Sequence, residues 1–90
     1  PEIFFNELVP FQVTRAQGKA SLIIANLWQG VVDFVNSISD PVEKAVAEVA
    51  LNDTTHWQRT SPFLNEAANA LGLTDEQLDQ LFIDASKIEL

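Results

Sequence analysis

Apolar residues recur every three to four positions along most of the chain, which is the spacing of one face of an α-helix. Four stretches with this spacing begin with residues that cap helices. Thr14 and Thr74 each stand three residues before a glutamine, as in a capping box, and Asp40 and Ser61 each precede a proline that suits a first helical turn. The sequence therefore predicts an all-α fold, a small bundle of four to five short helices with an extended N-terminal arm.

The third predicted helix is the longest and the least regular. Val42, Val46 and Val49 keep helical spacing and Trp57 continues it, so we expect this helix to run to about Gln58 in spite of two intervening threonines. The predicted helical stretches are Thr14 to Asn26, Trp28 to Ile38, Asp40 to Gln58, Ser61 to Gly72, and Thr74 onward.

Apolar residues also mark the other predicted helices. Leu22, Ile23 and Ile24 form the apolar part of the first, and Trp28, Val31, Val32 and Val35 share one face of the second. We expect burial of Phe63, Leu64, Ala67, Ala68 and Leu71 in the fourth and of Leu78, Leu81, Phe82 and Ala85 in the fifth. Gly18 and Gly30 each cost about 1 kcal/mol in a helix interior relative to alanine. We therefore expect close packing at both glycines.

The first thirteen residues follow a different period. Their apolar side chains fall on odd positions, which is typical of an extended strand, and Pro10 restricts such a strand to the edge of a sheet. The positions are Ile3, Phe5, Val9, Phe11 and Val13. A strand in a helical chain lies across its own helices or pairs with something outside. We divide the chain into an extended aromatic arm, residues 1–13, and a single helical domain, residues 14–90.

The charge balance limits the classes of partner. Five Lys and Arg stand against thirteen Asp and Glu, a net charge of -8, so the surface should repel nucleic acids and anionic membranes.

The chain has no cysteine, and its single histidine cannot build a histidine-rich metal site. It also has no apolar run long enough to span a membrane and no signal-peptide pattern. We expect a protein partner and synthesis in a cytoplasm.

The segment from Ala70 to Phe82 has the outline of a helix-turn-helix. The second helix of such a motif enters the major groove and needs basic residues, but the predicted fifth helix is acidic. Its charged residues near and after the turn are Asp75, Glu76, Asp79 and Asp84, with only Lys87 as a cation. We therefore predict a structural corner and no nucleic-acid partner.

Candidate chemistry is sparse. Asp75, Glu76 and Asp79 share part of a helix, but acidic residues also stabilise a helix N-terminus, so we predict no metal site there. His56 is the one general-base candidate active near neutral pH, and no nucleophile motif accompanies it. We expect His56 at a helix end, bonded to a carbonyl or packed on Trp57. The sequence predicts no enzyme and no cofactor.

The aromatic arm is the predicted partner-binding segment. It contains half of the six phenylalanines, and such a surface, if uncovered, is large enough to mark a binding site. Docking on a partner or second copy and packing on its own domain remain open alternatives. Trp28 and Trp57 are either interface anchors or core residues. The predicted binding residues are Ile3, Phe4, Phe5, Leu8, Val9, Phe11 and Trp28, next to an apolar face of the first two helices.

Residues 12 to 85 resemble a known group of proteins. The similar segments are Thr-Arg-Ala-Gln-Gly-Lys-Ala-Ser-Leu from position 14, Asp-Pro-Val-Glu-Lys from position 40, Asn-Asp-Thr-Thr-His-Trp from position 52, Ser-Pro-Phe-Leu from position 61, and Ala-Leu-Gly-Leu-Thr-Asp-Glu-Gln-Leu-Asp-Gln-Leu-Phe from position 70. This pattern resembles small helical tail-region proteins of bacteriophages and prophages, encoded near tail-fibre genes. The aromatic first thirteen residues depart from it.

The resemblance implies a non-enzymatic component of the virion tail that contacts a tail fibre or baseplate protein, with self-association as a further possibility. A tail-fibre assembly chaperone is the alternative. A third reading is an acidic inhibitor that mimics nucleic acid and binds a host protein, although the acidic residues are scattered rather than gathered in one strip. A transcription regulator ranks last because of the charge.

Overall fold

The chain forms five helices and two short strands within residues 9–90, the part that the computed structural model describes. The fold is mostly helical, as the apolar spacing predicts, but the strands pair into a small sheet, so it is not an all-α bundle. The elements in chain order are β1 (Gln12–Thr14), α1 (Arg15–Ile24), α2 (Trp28–Asn36), α3 (Pro41–Asn52), β2 (His56–Gln58), α4 (Pro62–Ala70) and α5 (Asp75–Ser86).

The four predicted helix caps are confirmed. At α1 the Thr14 hydroxyl accepts from the Gln17 amide at 3.0 Å, and the Gln17 side chain accepts from the Thr14 amide at 3.0 Å. Thr74 forms the same capping box at α5. Asp40 and Ser61 accept hydrogen bonds from the first-turn amides of α3 and α4. Each cap satisfies backbone donors that have no partner inside the helix.

Two helix ends use the left-handed backbone conformation. Asn26 after α1 has φ of 62°, and Gly72 after α4 has φ of 74°. In both cases the amide of the next residue donates to the carbonyl five residues earlier, at 2.8 Å after α1 and 2.9 Å after α4. This is the Schellman arrangement, which favours Gly or Asn at the turning residue. The predicted stops at Asn26 and Gly72 are confirmed.

The prediction that the third helix runs to Gln58 is wrong. α3 ends at Asn52, and the chain turns into β2, which pairs antiparallel with β1. Thr54 and Thr55 are weak helix formers, and the extended conformation lets Trp57 become buried, with 5% of its surface exposed. The Trp57 indole N–H donates to the Ala50 carbonyl at 3.2 Å, which fixes the ring against the end of α3.

The extended N-terminal segment finds its strand partner within the chain. Val13 lies opposite Trp57 in the sheet and is only 4% exposed, whereas Phe11, in a bend before β1, is exposed. The Arg59 amide donates to the Phe11 carbonyl at 2.9 Å, which continues the pairing. The predicted arm residues Ile3 to Leu8 lie outside the described part of the chain.

The core lies between the sheet and the helices. Trp57 crosses Gly18 of α1, where a Cβ atom would lie 2.3 Å from Cε3 of the indole, and a Cβ at Gly30 would lie 2.6 Å from a methyl of Leu71. The close packing expected at both glycines is confirmed. The core cluster consists of Val13, Leu22, Val31, Val35, Ala47, Leu51, Trp57, Leu64, Ala68, Leu78, Phe82 and Ala85.

Helix α1 buries only one of its three consecutive large apolar residues. Leu22 is in the core, but Ile23 and Ile24 are 54% and 77% exposed. Consecutive helical residues point about 100° apart, so three in a row cannot all face one side. Instead, α1 packs on α5 through polar contacts as well: the buried Ser21 hydroxyl donates to the Leu81 carbonyl at 3.0 Å.

Candidate interaction surface

The predicted partner-binding residues that the structure describes lie on separate elements. Val9 is 38% exposed and Phe11 63% exposed, both before β1, whereas Trp28 is half-buried at the start of α2. Lys19 places its ammonium 4.8 Å from the Trp28 ring, a cation–π contact. Trp28 therefore packs partly on its own domain, and Trp57 is a core residue.

The most apolar exposed helix face belongs to α3 and was not predicted. Val42, Val46 and Val49 are 72%, 62% and 52% exposed. Their spacing of four and three residues places them in one line along the helix. We call these three residues the α3 valine face. From the sequence, the spacing of these valines predicted only a helix that continues to Trp57, not an exposed face.

The opposite side of α3 explains the orientation of this face. Ala47 and Leu51 are buried, at 7% and 5% exposure, and anchor the helix to the core. Asp40 caps the helix and Pro41 begins it, so the direction of its first turn is fixed. Because Ala47 and Leu51 face inward, the valines on the other side of the helix face outward.

A groove runs along one flank of the α3 valine face, between α3, the end of α2 and the start of α4. Its apolar lining includes Phe34, Ile38, Val42, Val46, Pro62 and Phe63. The rings of Phe34 and Phe63 are tilted by 43° with their centroids 6.2 Å apart, and both side chains are half-buried. We call this the α3 groove. It presents aromatic and branched apolar surface beside the exposed valines.

The charged residues of the α3 groove are all acidic. Glu43 from α3 and Glu66 from α4 line it and are exposed. Among the described residues that line the groove, none is Lys or Arg. Lys44 is next to Glu43 in sequence, but helical geometry sets it about 160° from Val46 around α3. The groove therefore combines an apolar floor with a negative edge.

The sequence contains a signal that could have revealed this surface. α3 has apolar residues on two opposite sides, with the three valines on one and Ala47 and Leu51 on the other. A helix that contacts a small domain on one side needs only one apolar face. The second apolar face is therefore unexplained by folding alone.

The corner between α4 and α5 is held together by Arg59. Its Nε donates to Asp79 at 2.6 Å and one terminal nitrogen donates to Asn65 at 3.1 Å. A second terminal nitrogen donates to the Asp75 carbonyl oxygen at 3.3 Å, and the Asn65 amide donates back to the Arg59 carbonyl at 3.0 Å. We call these contacts the Arg59 brace. They link the end of β2 to α4 and α5, and they engage acidic residues of α5 in an intramolecular contact.

His56 occupies a different position from the one predicted. It is an exposed residue of β2, and its Nδ1 lies 3.1 Å from the Thr55 hydroxyl. The expected helix-end environment is absent because α3 ends four residues earlier. Within residues 9–90, no group of three or more His, Asp or Glu side chains is arranged to hold a metal ion.

Comparison with known protein families, characterised proteins and solved structures finds no match for this chain. In the described part of the chain, none of the helices has the length and apolar character required to cross a membrane.

Proposed function

We propose that this protein is a non-enzymatic protein-binding module of a phage tail that contacts a fibre or baseplate protein. The observation that supports binding is the α3 valine face, three aligned valines that stay at least half exposed. Removing apolar surface from water contributes about 25 cal/mol per Å², from which the costs of association are subtracted. A partner that covers these valines gains this stabilisation without any rearrangement of the core.

The assignment to a phage tail comes from the resemblance of residues 12 to 85. Two of the resembling segments, at positions 40 and 61, form the N-termini of α3 and α4, which border the α3 groove. The proposal therefore joins the resemblance to a particular surface. It places incorporation into the virion first and a tail-fibre assembly chaperone second.

Mass spectrometry of purified phage particles tests this order. A virion component is expected in mature, density-purified particles at a fixed ratio to the baseplate proteins. A chaperone is expected only with unassembled fibre protein in the lysate. Absence from both fractions, in cells that express the chain and assemble phage, contradicts the proposed function in both forms.

A further inference from the structure

The α3 groove and valine face together have the shape of a helix-binding surface. Val42 to Val49 spans about 10 Å along α3, close to two helical turns. Val42 and Val46, four residues apart, lie on one ridge of α3 with Val49 beside it, and such ridges pack into the grooves between the side chains of another helix. An amphipathic helix docks in this way by placing its apolar side on the ridge and in the groove beside it.

The charge of the surface selects among possible helices. Glu43 and Glu66 face the groove with no basic lining residue among those described. We propose that the α3 groove binds a cationic amphipathic helix of a partner protein, one whose apolar side covers the α3 valine face and whose Lys or Arg side chains pair with Glu43 and Glu66. The proposal rests on the proposed function in taking this face as the binding face, and it adds the chemistry of the partner.

The same charges disfavour the two other candidate occupants. A second copy of the chain brings another net charge of -8 to an acidic edge. Residues 1–8 contain Ile3, Phe4, Phe5 and Leu8, but their charged side chains are Glu2 and Glu7, with no Lys or Arg. Like charges across an interface oppose association. A cationic partner removes this repulsion and gains attraction.

A pair of synthetic peptides tests the proposal with the full chain. One is an amphipathic helix of Leu and Lys about fourteen residues long, roughly four turns. The other has the same Leu positions with Glu in place of Lys. We expect NMR chemical-shift changes on adding the Leu/Lys peptide to map to α3 and to Phe34 and Phe63. We expect the Leu/Glu peptide to bind at least about tenfold more weakly.

Matched variants separate a defined site from general attraction to an acidic protein. V46S removes an exposed methyl pair from the groove, whereas I24S removes exposed apolar surface from α1. E43Q/E66Q and E48Q/E76Q change net charge equally, but only the first pair lines the groove. We expect V46S and E43Q/E66Q each to weaken binding of the Leu/Lys peptide by about fivefold or more. The two controls, I24S and E48Q/E76Q, should each weaken this binding by less than about twofold.

Several outcomes would overturn the proposal. If E43Q/E66Q and E48Q/E76Q weakened Leu/Lys peptide binding equally, the binding would reflect only general attraction to an acidic protein. If the Leu/Glu peptide bound as tightly as the Leu/Lys peptide, the partner's positive charge would play no part. Sedimentation showing a dimer that V46S dissociates would assign the groove to a second copy. Tighter Leu/Lys peptide binding after deletion of residues 1–8 would assign it to the chain's own segment. None of these results bears on whether the protein is found in phage particles, so the two proposals fail separately.

Discussion

At the scale of single residues, Trp57 packs against Gly18 so closely that no side chain fits between them. A Cβ at position 18 would meet two ring carbons of Trp57, at 2.3 and 2.7 Å. The indole is buried, lies opposite Val13 and donates a hydrogen bond to the end of α3, so it has little room to move. The identity of residue 18 is thus fixed by the packing of α1 against the sheet.

We expect G18A to lower the free energy of unfolding by about 1–3 kcal/mol, as overpacked core substitutions do. This loss should appear even though alanine is about 1 kcal/mol better than glycine in a helix interior. G30A is the matched control, because its Cβ would lie too close to only one atom, a methyl at the end of the flexible Leu71 side chain. Urea unfolding measures both variants. A G18A protein as stable as the original would contradict the described contact with Trp57.

The exposed valines should differ from core valines in their effect on stability. V46A alters a side chain that is 62% exposed and should change the free energy of unfolding by no more than about 0.5 kcal/mol. V31A alters a side chain that is 2% exposed and should cost about 1.5–3 kcal/mol. Thermal and urea unfolding of the isolated chain give both values. A large loss in V46A would mean that the α3 valine face is already covered.

At the scale of elements, the pairing of β1 with β2 attaches the N-terminal segment to the rest of the domain. β1 contributes Val13 to the core and extends its pairing to Phe11 through the Arg59 amide. The alternation of apolar residues predicted an extended segment but not the strand that pairs with it, because β2 lies in a stretch that the sequence predicted to be helical. Three residues are too few to show a strand period, and Trp57 has the right spacing for α3 as well.

Two truncations test this role of β1. Deleting residues 1–10 leaves both strands of the described sheet and should preserve both the helical circular-dichroism signal and most of the stability. Deleting residues 1–14 removes Val13 and the Thr14 cap, and should lower the midpoint of urea unfolding strongly or abolish folding. If the two truncated chains unfold at the same midpoint, β1 is not part of the core.

The Arg59 brace is the other element-scale feature, and a double-mutant cycle measures it. Arg59 and Asp79 are 2.6 Å apart with side chains 19% and 36% exposed, whereas Asp75 lies 3.9 Å from Arg59 and is 94% exposed. We expect a coupling energy of about 1 kcal/mol between R59Q and D79N. The control cycle with D75N should give a value near zero. Equal coupling in both cycles would contradict the geometry of the brace.

Local chemistry made much of the fold predictable from sequence. Four helix starts are marked by residues whose side-chain oxygen can accept a hydrogen bond from a free amide of the first turn: Thr14, Asp40, Ser61 and Thr74. Gly72 marks a helix end, because glycine readily adopts the left-handed conformation. The spacing shows that α3 has two opposite apolar sides but not which of them is exposed, because an apolar stripe has the same spacing whether the chain covers it or leaves it exposed. Only the position of α3 against the core separates the two cases.

At the scale of the whole molecule, the proposed function depends on which surface the chain leaves uncovered. The core is closed by α1, α2, α4, α5 and the sheet, while α3 contributes one side to it and exposes the other. The chain as a whole carries a net charge of -8, and Glu43 and Glu66 lie in the groove beside this apolar face. Such a molecule should remain soluble through its charge until a complementary partner covers the valines.

The most direct test of the central claim is a photo-cross-link from α3 in phage-producing cells. A photoreactive amino acid placed at Val46 should cross-link to a tail fibre or baseplate protein, identified by mass spectrometry. The same amino acid at Asp84, an exposed residue of α5, should give no such product. Cross-links to a tail protein from position 84 alone, or none from position 46 while phage assembles normally, would contradict the claim that the α3 face binds the tail.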